Sequence, residues 1–154
     1  MIPTIAQICT AIHETLGAPL VVSGELVRSE NYNRLSEAIN DPRVLQVYPQ
    51  EILPVSTGSG TAFKTFGADT IVIQESIVIY ADYYARQRSH LAEDMGQLVL
   101  GIEAMRTILK EQEPCEPFGL ENTGSYRWSG ARVVFDYAGV LHMGWRWIIT
   151  LEVF

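Results

Sequence analysis

The sequence predicts an α+β fold, with a mixed or antiparallel sheet of about four strands and one long and one or two short helices packed mainly on one face. Three observations predict this class. In residues 70–84, successive side chains alternate between two faces with the period of a strand. In residues 89–110, apolar side chains recur with the spacing of a helix. Residues 127–154 divide into two strand-like segments. A chain of 154 residues can bury one such core, so we expect a single domain over residues 1–154.

The N-terminal segment predicts a short amphipathic helix. Thr4 and Gln7 have the spacing of a capping box, apolar residues recur on one face after them, and Gly17 is the expected end of the helix. A second short helix is predicted over residues 31–40, where Asn40 precedes an Asp-Pro turn signal.

Two extended segments are predicted next. Residues 44–55 are expected to be an edge strand or an extended arm, because Pro49 and Pro54 lack the N–H that an interior strand donates. The glycine-rich residues 56–69 predict a flexible loop or the tip of a hairpin. A phosphate-binding loop is disfavoured there, since Lys64 is followed by a strand and not by a helix.

The clearest strand is TIVIQESIVIYADYY over residues 70–84. Isoleucines occupy one face, and Val72, Val78 and Tyr80 occupy the other, which indicates a strand in the interior of the sheet. Residues 89–110 then predict a helix about 33 Å long. Such a helix can lie along the sheet and cover one face of it.

The C-terminal part predicts a loop and a hairpin. Residues 111–125 form an acidic segment with proline and glycine, and strands are expected over 127–137 and 144–154, joined by a connection over 138–143. One face of the last strand is apolar: Trp145, Trp147, Ile149, Leu151 and Val153.

The composition disfavours several classes of protein. The 11 Lys and Arg residues are outnumbered by 18 Asp and Glu residues, and the net charge of -7 argues against a protein that grips phosphate backbones. Cys9 and Cys115 are too few for a disulfide framework or a zinc site, so a reducing compartment is expected. No apolar run reaches the roughly 18 residues that a membrane-spanning helix needs, and residues 1–17 lack the pattern of a signal peptide.

The residues that carry chemistry form no catalytic or metal-binding constellation, so we expect neither an enzyme nor a bound cofactor. His13, His90 and His142 lack metal-ligand spacing. His90 and Asp94 are four residues apart on the long helix, a spacing that could hold a metal or exchange a proton but is more often a solvated surface pair. Ser23 lacks the glycines of a nucleophile elbow.

Other charged residues are interpreted as surface features. Glu93 and Glu103 are expected on a solvated helix face rather than in a catalytic pair. Arg127, Arg132 and Arg146 form the best basic group of the chain, and scattered surface charge is the interpretation that we favour for them.

The central strand raises a question of coverage. One long helix covers one face of the sheet, yet the strand over residues 70–84 is apolar on both faces. Either the short helices and residues 44–55 cover the second face, or a neighbouring subunit does, because contiguous exposed apolar surface usually marks an interface. The sequence leaves both alternatives open.

The order of elements resembles that of the tail terminator (tail completion) proteins of long-tailed bacteriophages, of the minor tail protein U type. The resemblance covers about residues 4–154. It rests on the order of five features. These are a short N-terminal helix, an extended segment with YPQEILPV, a glycine-rich segment leading into IVIQESIVIYAD, one long helix and a closing hairpin that ends in GWRWIITLEVF.

The resemblance implies a non-enzymatic virion protein with a helix-on-sheet fold. Members of that family assemble in the host cytoplasm as a hexameric ring that caps the tail tube, stops its elongation and joins the tail to the neck. The implied partners are further copies of the chain, a tail tube protein and a head-completion or neck protein, with no membrane and no cofactor. DNA would pass the ring without specific binding, which an acidic lining favours by repulsion.

The resemblance also implies contact surfaces. Subunit contacts are expected at six residues of two strands: Trp145, Trp147, Ile149, Leu151, Val72 and Val78. Contacts with the tail tube or the neck are expected at six residues of the glycine-rich segment: Thr57, Ser59, Thr61, Phe63, Lys64 and Phe66. Two alternatives stay open. They are another neck or head-tail joining component, and a small-ligand binding domain or small enzyme with a pocket between the long helix and the sheet.

Overall fold

The chain forms one mixed sheet with helices packed on one of its faces, which confirms the predicted α+β class. The computed structural model describes residues 2–36, 43–50, 58–64, 71–87, 91–137 and 139–154, with the backbone alone for residues 58–64, 71–74, 85–87, 91–94, 97, 137 and 140. The six strands are β1 (Arg28–Glu30), β2 (Val44–Pro49), β3 (Gly58–Lys64), β4 (Ile71–Gln87), β5 (Thr123–Tyr137) and β6 (Val140–Val153). Their order is β1-β2-β4-β6-β5, and β3 pairs with β4. The sheet exceeds the predicted four or so strands because residues 28–30 and 58–64 also pair.

The N-terminal helix is longer than predicted. It begins as α1 (Ile5–Ile12), where Thr4 and Gln7 form the expected capping box. It continues through a π-helical turn, His13–Gly17, into α2 (Ala18–Ser23). The helical segment therefore extends six residues beyond the predicted end, the length of α2.

Gly17 allows a close approach and does not end the helix. A Cβ at this position would lie 1.9 Å from the Ser29 hydroxyl oxygen, so the glycine lets the helix pack against β1. Pro19 stands in the first turn of α2, where a missing N–H is tolerated. The helix ends at Gly24, whose φ of 92° places it in the left-handed region that glycine adopts readily.

The first half of β2 has a neighbouring strand on each side, so the predicted edge position is wrong for these residues. β1 pairs in parallel with residues 44–46, and β4 pairs in antiparallel orientation on the other side. Pro49 comes after the residues that pair with β1, so its missing N–H removes no bond to that strand. Pro54 lies outside the described residues.

The other short helix is smaller than predicted. Within residues 31–40 the described part is a single 3₁₀ turn, Tyr32–Arg34, and the Asn31 side chain accepts a hydrogen bond from the Tyr32 N–H. Residues 37–40 lie outside the described part of the chain.

Strand β4 is confirmed as the centre of the sheet, with β2 and β3 along one side and β6 along the other. The loop predicted over residues 56–69 is wrong for residues 58–64, which form β3 because they pair residue by residue with the start of β4. Residues 56, 57 and 65–69 lie outside the described residues.

The last two strands confirm the predicted hairpin but are longer than expected. β5 begins at Thr123, so the acidic loop ends there and not at residue 125. Tyr137 pairs with Val140, which shortens the predicted connection over 138–143 to residues 138 and 139. Register shifts interrupt both ladders of β6, between Tyr84 and Arg86 and between Gly124 and Arg127.

The core lies between the helices and one face of the sheet. The predicted long helix is confirmed as α3 (Leu91–Lys110), and its expected N-cap, Ser89, lies outside the described residues. Helices and strands contribute to one buried cluster, whose largest fully buried side chains include Ile8, Ile12, Leu16, Leu98, Met105, Leu109, Ile77, Ile79, Tyr83 and Trp147.

We term the opposite side of the sheet the open face, to which β4 contributes Val78, Tyr80, Asp82 and Tyr84. Because α1, α2 and α3 pack on the other face and β2 is part of the sheet, none of them covers the open face, whereas Leu35, from the second predicted short helix, lies beside part of it. A small second cluster of Val44, Tyr84 and Phe135 is buried at one end of it. The open face is therefore partly polar, and not as apolar as the sequence pattern indicates.

Candidate functional site

The centre of the open face holds an ion pair. Asp82 on β4 and Arg146 on β6 are register partners, and the carboxylate of Asp82 is fully buried. Arg146 Nε donates to Asp82 Oδ1 at 2.8 Å, and Nη2 donates to Oδ2 at 3.1 Å. The Tyr48 hydroxyl on β2 also donates to Oδ2. Both carboxylate oxygens are thus occupied, as a buried charge requires.

Aromatic rings surround the guanidinium group. The Arg146 Cζ atom lies 4.3 Å from the centre of the Tyr80 ring and 5.5 Å from that of Phe135. Such contacts favour a cation over the ring face. A pocket of about 400 Å³ opens beside the ion pair, between Leu35 and the β5 strand. The pocket and the ion pair form the most polar part of the open face.

The electrostatics fix the protonation states of the two donors. Burial raises the pKa of Tyr48, and the neighbouring Asp82 charge raises it further. The hydrogen bond with Asp82 raises the pKa of Arg146, although burial opposes it. Tyr48 therefore stays a neutral donor and Arg146 stays a cation. Neither group is poised to exchange a proton near neutral pH.

A second polar cluster surrounds Glu30 at the end of β1. Gln46 Nε2 donates to Glu30 Oε1 at 2.7 Å, Arg28 Nε lies 3.1 Å from Oε2, and the Ser36 hydroxyl donates to Oε2. Burial acts to raise the pKa of Glu30, but the hydrogen bonds from Gln46 and Ser36 outweigh it and the pKa is lowered. This carboxylate is held ionised by its neighbours and joins residues 31–36 to the sheet.

The two clusters have one feature in common, a carboxylate that several donors hold. Each carboxylate accepts hydrogen bonds at both of its oxygens, and the Ser36 hydroxyl is one of the donors to Glu30. Within the part of the chain that the structure describes, no group of three or more His, Cys, Asp or Glu residues is placed to hold a metal ion.

The hairpin of β3 and β4 projects beyond the rest of the sheet. β6 pairs with β4 only from Glu75 onward, whereas β3 pairs with β4 back to Ile71. We term the protruding part, residues 61–64 and 71–74, the arm. It is two strands wide within the described residues, and its sequence includes Phe63, Val72 and two isoleucines.

The other side of the sheet ends in a long edge. β5 runs for 15 residues and is the last strand of the order, so its outer side pairs with no strand among the described residues. Most of its described side chains are exposed from Ser125 to Asp136. The two sides of the sheet are therefore unlike, with the short β1 and the arm on one side and the long β5 on the other.

The predicted subunit-contact residues are divided by the structure. Trp147, Ile149 and Leu151 are at most 1% exposed and belong to the chain's own core, because β6 turns this face toward the helices. The prediction is wrong for these three. Trp145 is half-buried against the same core, whereas Val78 is half-buried on the open face. The side chain of Val72 lies outside the described atoms, and its backbone is part of the arm.

The predicted contacts with a tail tube or neck fall on β3 where they are described. Ser59, Thr61, Phe63 and Lys64 are strand residues, which pair with Ser76, Gln74, Val72 and Ile71 in that order. Thr57 and Phe66 lie outside the described residues.

The residues considered for chemistry are not brought together. The His13 ring lies 2.9 Å from the Ser29 hydroxyl through Nδ1, and His142 is buried with an edge-to-face contact to the Tyr84 ring. His90 lies outside the described residues, as does the side chain of Asp94. The predicted pairing of His90 with Asp94 therefore falls outside the described atoms.

The charged side chains differ from one another in their environment. Glu103 is exposed and lies 3.8 Å from Arg106, as expected of a solvated helix face, and the side chain of Glu93 is not described. Arg127 and Arg132 are exposed. Arg146 is not scattered surface charge, because it pairs with buried Asp82.

Both cysteines are free thiols, with Cys9 buried and Cys115 exposed. Burial raises the pKa of Cys9 to about 12, so this thiol stays protonated and unreactive.

One helical segment passes the length and composition test for a membrane span, contrary to the prediction. It covers Ile5–Ser23, 19 residues with a mean hydropathy of 1.3 in its most apolar window. The prediction rests on uninterrupted apolar runs in the sequence, whereas the helical segment also includes polar residues and continues through Gly17 to Ser23. About a third of that window is buried in the fold, where Ile8, Ile12 and Leu16 pack in the core. Core helices also meet this criterion.

Comparison of the sequence with protein-family models and with curated proteins gives no match.

Proposed function

We propose that this chain is a structural protein that assembles with further copies of itself into a closed ring, in the manner of the tail terminators that it resembles. The observation that carries the proposal is the arm. A two-stranded hairpin is marginally stable in water by itself, and this one bears apolar residues such as Phe63 and Val72. A neighbouring molecule that pairs with it would stabilise it by further backbone hydrogen bonds.

The unlike edges of the sheet support a ring. A contact between two different surfaces, repeated by rotation, produces a closed ring or a filament, whereas a two-fold dimer uses one surface twice. The arm lies on one side of the sheet and the edge of β5 on the other. We propose that the arm of one subunit reaches the β5 side of the next subunit.

The finer assignment rests on the resemblance. The ring would be a hexamer in the virion, placed at the head-tail junction, where it caps the tail tube, stops its elongation and receives a neck protein. Its partners would be the tail tube protein and a head-completion protein, and DNA would pass without specific binding. The net charge of -7 supports the last point, because an acidic surface repels DNA.

Removal of the arm tests this proposal. Gly60 and Glu75 are register partners, so residues 61–74 can be replaced by an Asn-Gly turn that closes the hairpin directly. We expect the shortened chain to keep its thermal transition, because β6 still pairs with β4 from Glu75 onward, and to lose assembly. As a matched control, Val22→Ser changes one exposed apolar residue on α2, outside both proposed contact surfaces, and is expected to keep the wild-type mass. A shortened chain that folds and assembles as the wild type does would refute the role of the arm.

A second candidate is a small-ligand binding domain, favoured by the pocket of about 400 Å³ on the open face. Its volume is within the range of ligand sites, and Tyr84, Phe135 and Val133 provide apolar walls beside Arg146. This function does not require assembly, so a strictly monomeric mass would favour it over the ring.

A further inference from the structure

The outer side of β5 is a free edge of the sheet within the part of the chain that the structure describes. From Arg127 to Tyr137 this strand pairs with β6 residue by residue, without a register shift. Natural edge strands often carry charges or irregularities that stop a second copy from pairing with them. The hairpin end of β5 carries one charge of each sign instead.

Three alternate residues at this end of β5 are exposed: Arg132, Val134 and Asp136. The first two have Trp145 and Met143 as register partners, which pack in the core on the helix side of the sheet. Val134 is nevertheless 42% exposed, and Leu141, the register partner of Asp136, is 41% exposed. This part of the helix-side face therefore combines exposed apolar side chains with one cation and one anion.

The backbone groups of the same three residues point away from β6. Tyr137 and Val140 are register partners across the connection 138–139, and the residues that flank a two-residue connection form a hydrogen-bonded pair. Along an antiparallel ladder, such pairs alternate with pairs whose N–H and C=O groups point outward. Residues 136, 134 and 132 belong to the second kind. Each of them directs an N–H and a C=O group at the free edge.

An antiparallel copy of β5 matches this edge in one register. When Val134 faces Val134 of the partner subunit, Arg132 of each chain faces Asp136 of the partner subunit. Opposite charges in facing positions stabilise a strand pair, and like charges destabilise it. A register centred on residue 132 or on residue 136 would bring two like charges together. We propose that the hairpin end of β5 pairs with the same segment of a second copy, about a two-fold axis at Val134.

This two-fold contact does not depend on ring formation. Thr123, at the other end of β5, lies level with Val153 and Glu75, beyond which the arm projects. Residue 132 is nine positions beyond residue 123, roughly 30 Å at the rise of a strand. The proposed contact and the arm therefore lie toward opposite ends of the sheet. In a ring, the contact would join two rings and leave the number of subunits in each ring unchanged.

Disulfide formation in the intact chain tests the contact. Val134→Cys, combined with Cys115→Ser to remove the exposed native thiol, places two thiols at the axis, where facing Cα atoms are about 5.5 Å apart. We expect a covalent pair of chains on a non-reducing gel after mild oxidation. Val22→Cys with Cys115→Ser is the control, because residue 22 is 90% exposed and lies on α2. Its thiols meet only by collision and should crosslink at least about tenfold more slowly.

Two further cysteine variants test the register. Arg132→Cys places its thiol opposite residue 136 of the partner subunit, so two copies of this variant hold their thiols about 14 Å apart, too far for a disulfide. Alone it should crosslink no faster than the Val22→Cys control. Mixed with Asp136→Cys, it should form the covalent pair. Equal crosslinking by Arg132→Cys alone and by Val134→Cys would overturn the proposed register.

Charge reversal separates a specific pair from chance contact. Arg132→Asp and Asp136→Arg are each combined with Val134→Cys, and each variant then brings like charges together when it meets its own copy. Crosslinking of either variant alone should fall about tenfold. In a mixture of the two, every facing position again holds opposite charges, so crosslinking between them should recover.

Thermal melts check that each variant folds, and exposed positions should leave Tm unchanged. Absence of crosslinking in Val134→Cys, or undiminished crosslinking in both charge-reversed variants, would overturn the proposal. The crosslink needs only two chains. Its failure is therefore distinct from a failure of the ring, which the mass of the particle reports.

Discussion

Asp82 and Arg146 stand opposite each other on neighbouring strands, and the Nε atom of the arginine donates to the buried carboxylate at 2.8 Å. The two residues differ in exposure, because the Asp82 side chain is 0% exposed and that of Arg146 is 28% exposed. The aspartate thus depends on its partner more than the arginine does. This asymmetry leads to the first prediction.

Arg146→Met should destabilise the protein by about 3 kcal/mol, since it leaves a buried carboxylate without its counter-charge. Adding Asp82→Asn to Arg146→Met should recover part of this loss, because a neutral amide costs less to bury than a charge. Urea unfolding gives both free energies. The control is Arg106→Met, which breaks the exposed pair with Glu103 and should cost at most about 0.5 kcal/mol. Equal losses in Arg146→Met and Arg106→Met would contradict this view of the ion pair.

Two glycines give opposite predictions for the same substitution. A Cβ at Gly144 would lie 2.1 Å from the Tyr83 carbonyl oxygen, a backbone atom that cannot move aside easily, so Gly144→Ala should cost about 3 kcal/mol. Gly96 lies within α3, and no described atom is within 4 Å of a Cβ added there, so Gly96→Ala should stabilise the protein by about 0.8 kcal/mol through helix propensity. Thermal melts measure both. Similar effects of the two changes would refute the close contact between Gly144 on β6 and the Tyr83 carbonyl oxygen.

His13 should make stability depend on pH. Burial lowers the pKa of His13 below its ordinary value of 6.5, although Glu14 acts to raise it. The unfolded chain therefore takes up a proton at a higher pH than the folded chain does, so stability falls as pH drops below about 6.5 toward the lowered pKa. His13→Gln should flatten the stability profile in this window. A profile unchanged by the substitution would show that other groups cause the dependence.

The sequence pattern predicts the regular elements well where one period dominates. β4 and α3 follow from the alternation of Ile77 and Ile79 and from the spacing of Leu98, Met105 and Leu109. The pattern fails where tertiary contacts decide. In the sequence, Gly17 looks like the end of a helix, yet the helix continues past it. A glycine is needed there because Ser29 approaches too closely for a side chain.

The polar site could not be predicted for a similar reason. Asp82 and Arg146 are 64 residues apart, and their contact depends on the register between β4 and β6. Alternation along β6 does predict one apolar face, but it does not indicate which face meets the helices. The resemblance implies a subunit contact at Trp147, and the structure places this side chain in the core.

The mass of the assembled protein tests the central claim most directly. Light scattering coupled to size exclusion, over a wide range of protein concentrations, gives the number of chains of 17.2 kDa in each particle. A ring predicts one discrete multiple of this mass, six for the hexamer that the resemblance implies, with a central opening in negative-stain images. A monomer at every concentration, or a mass that grows without limit, would contradict a closed ring.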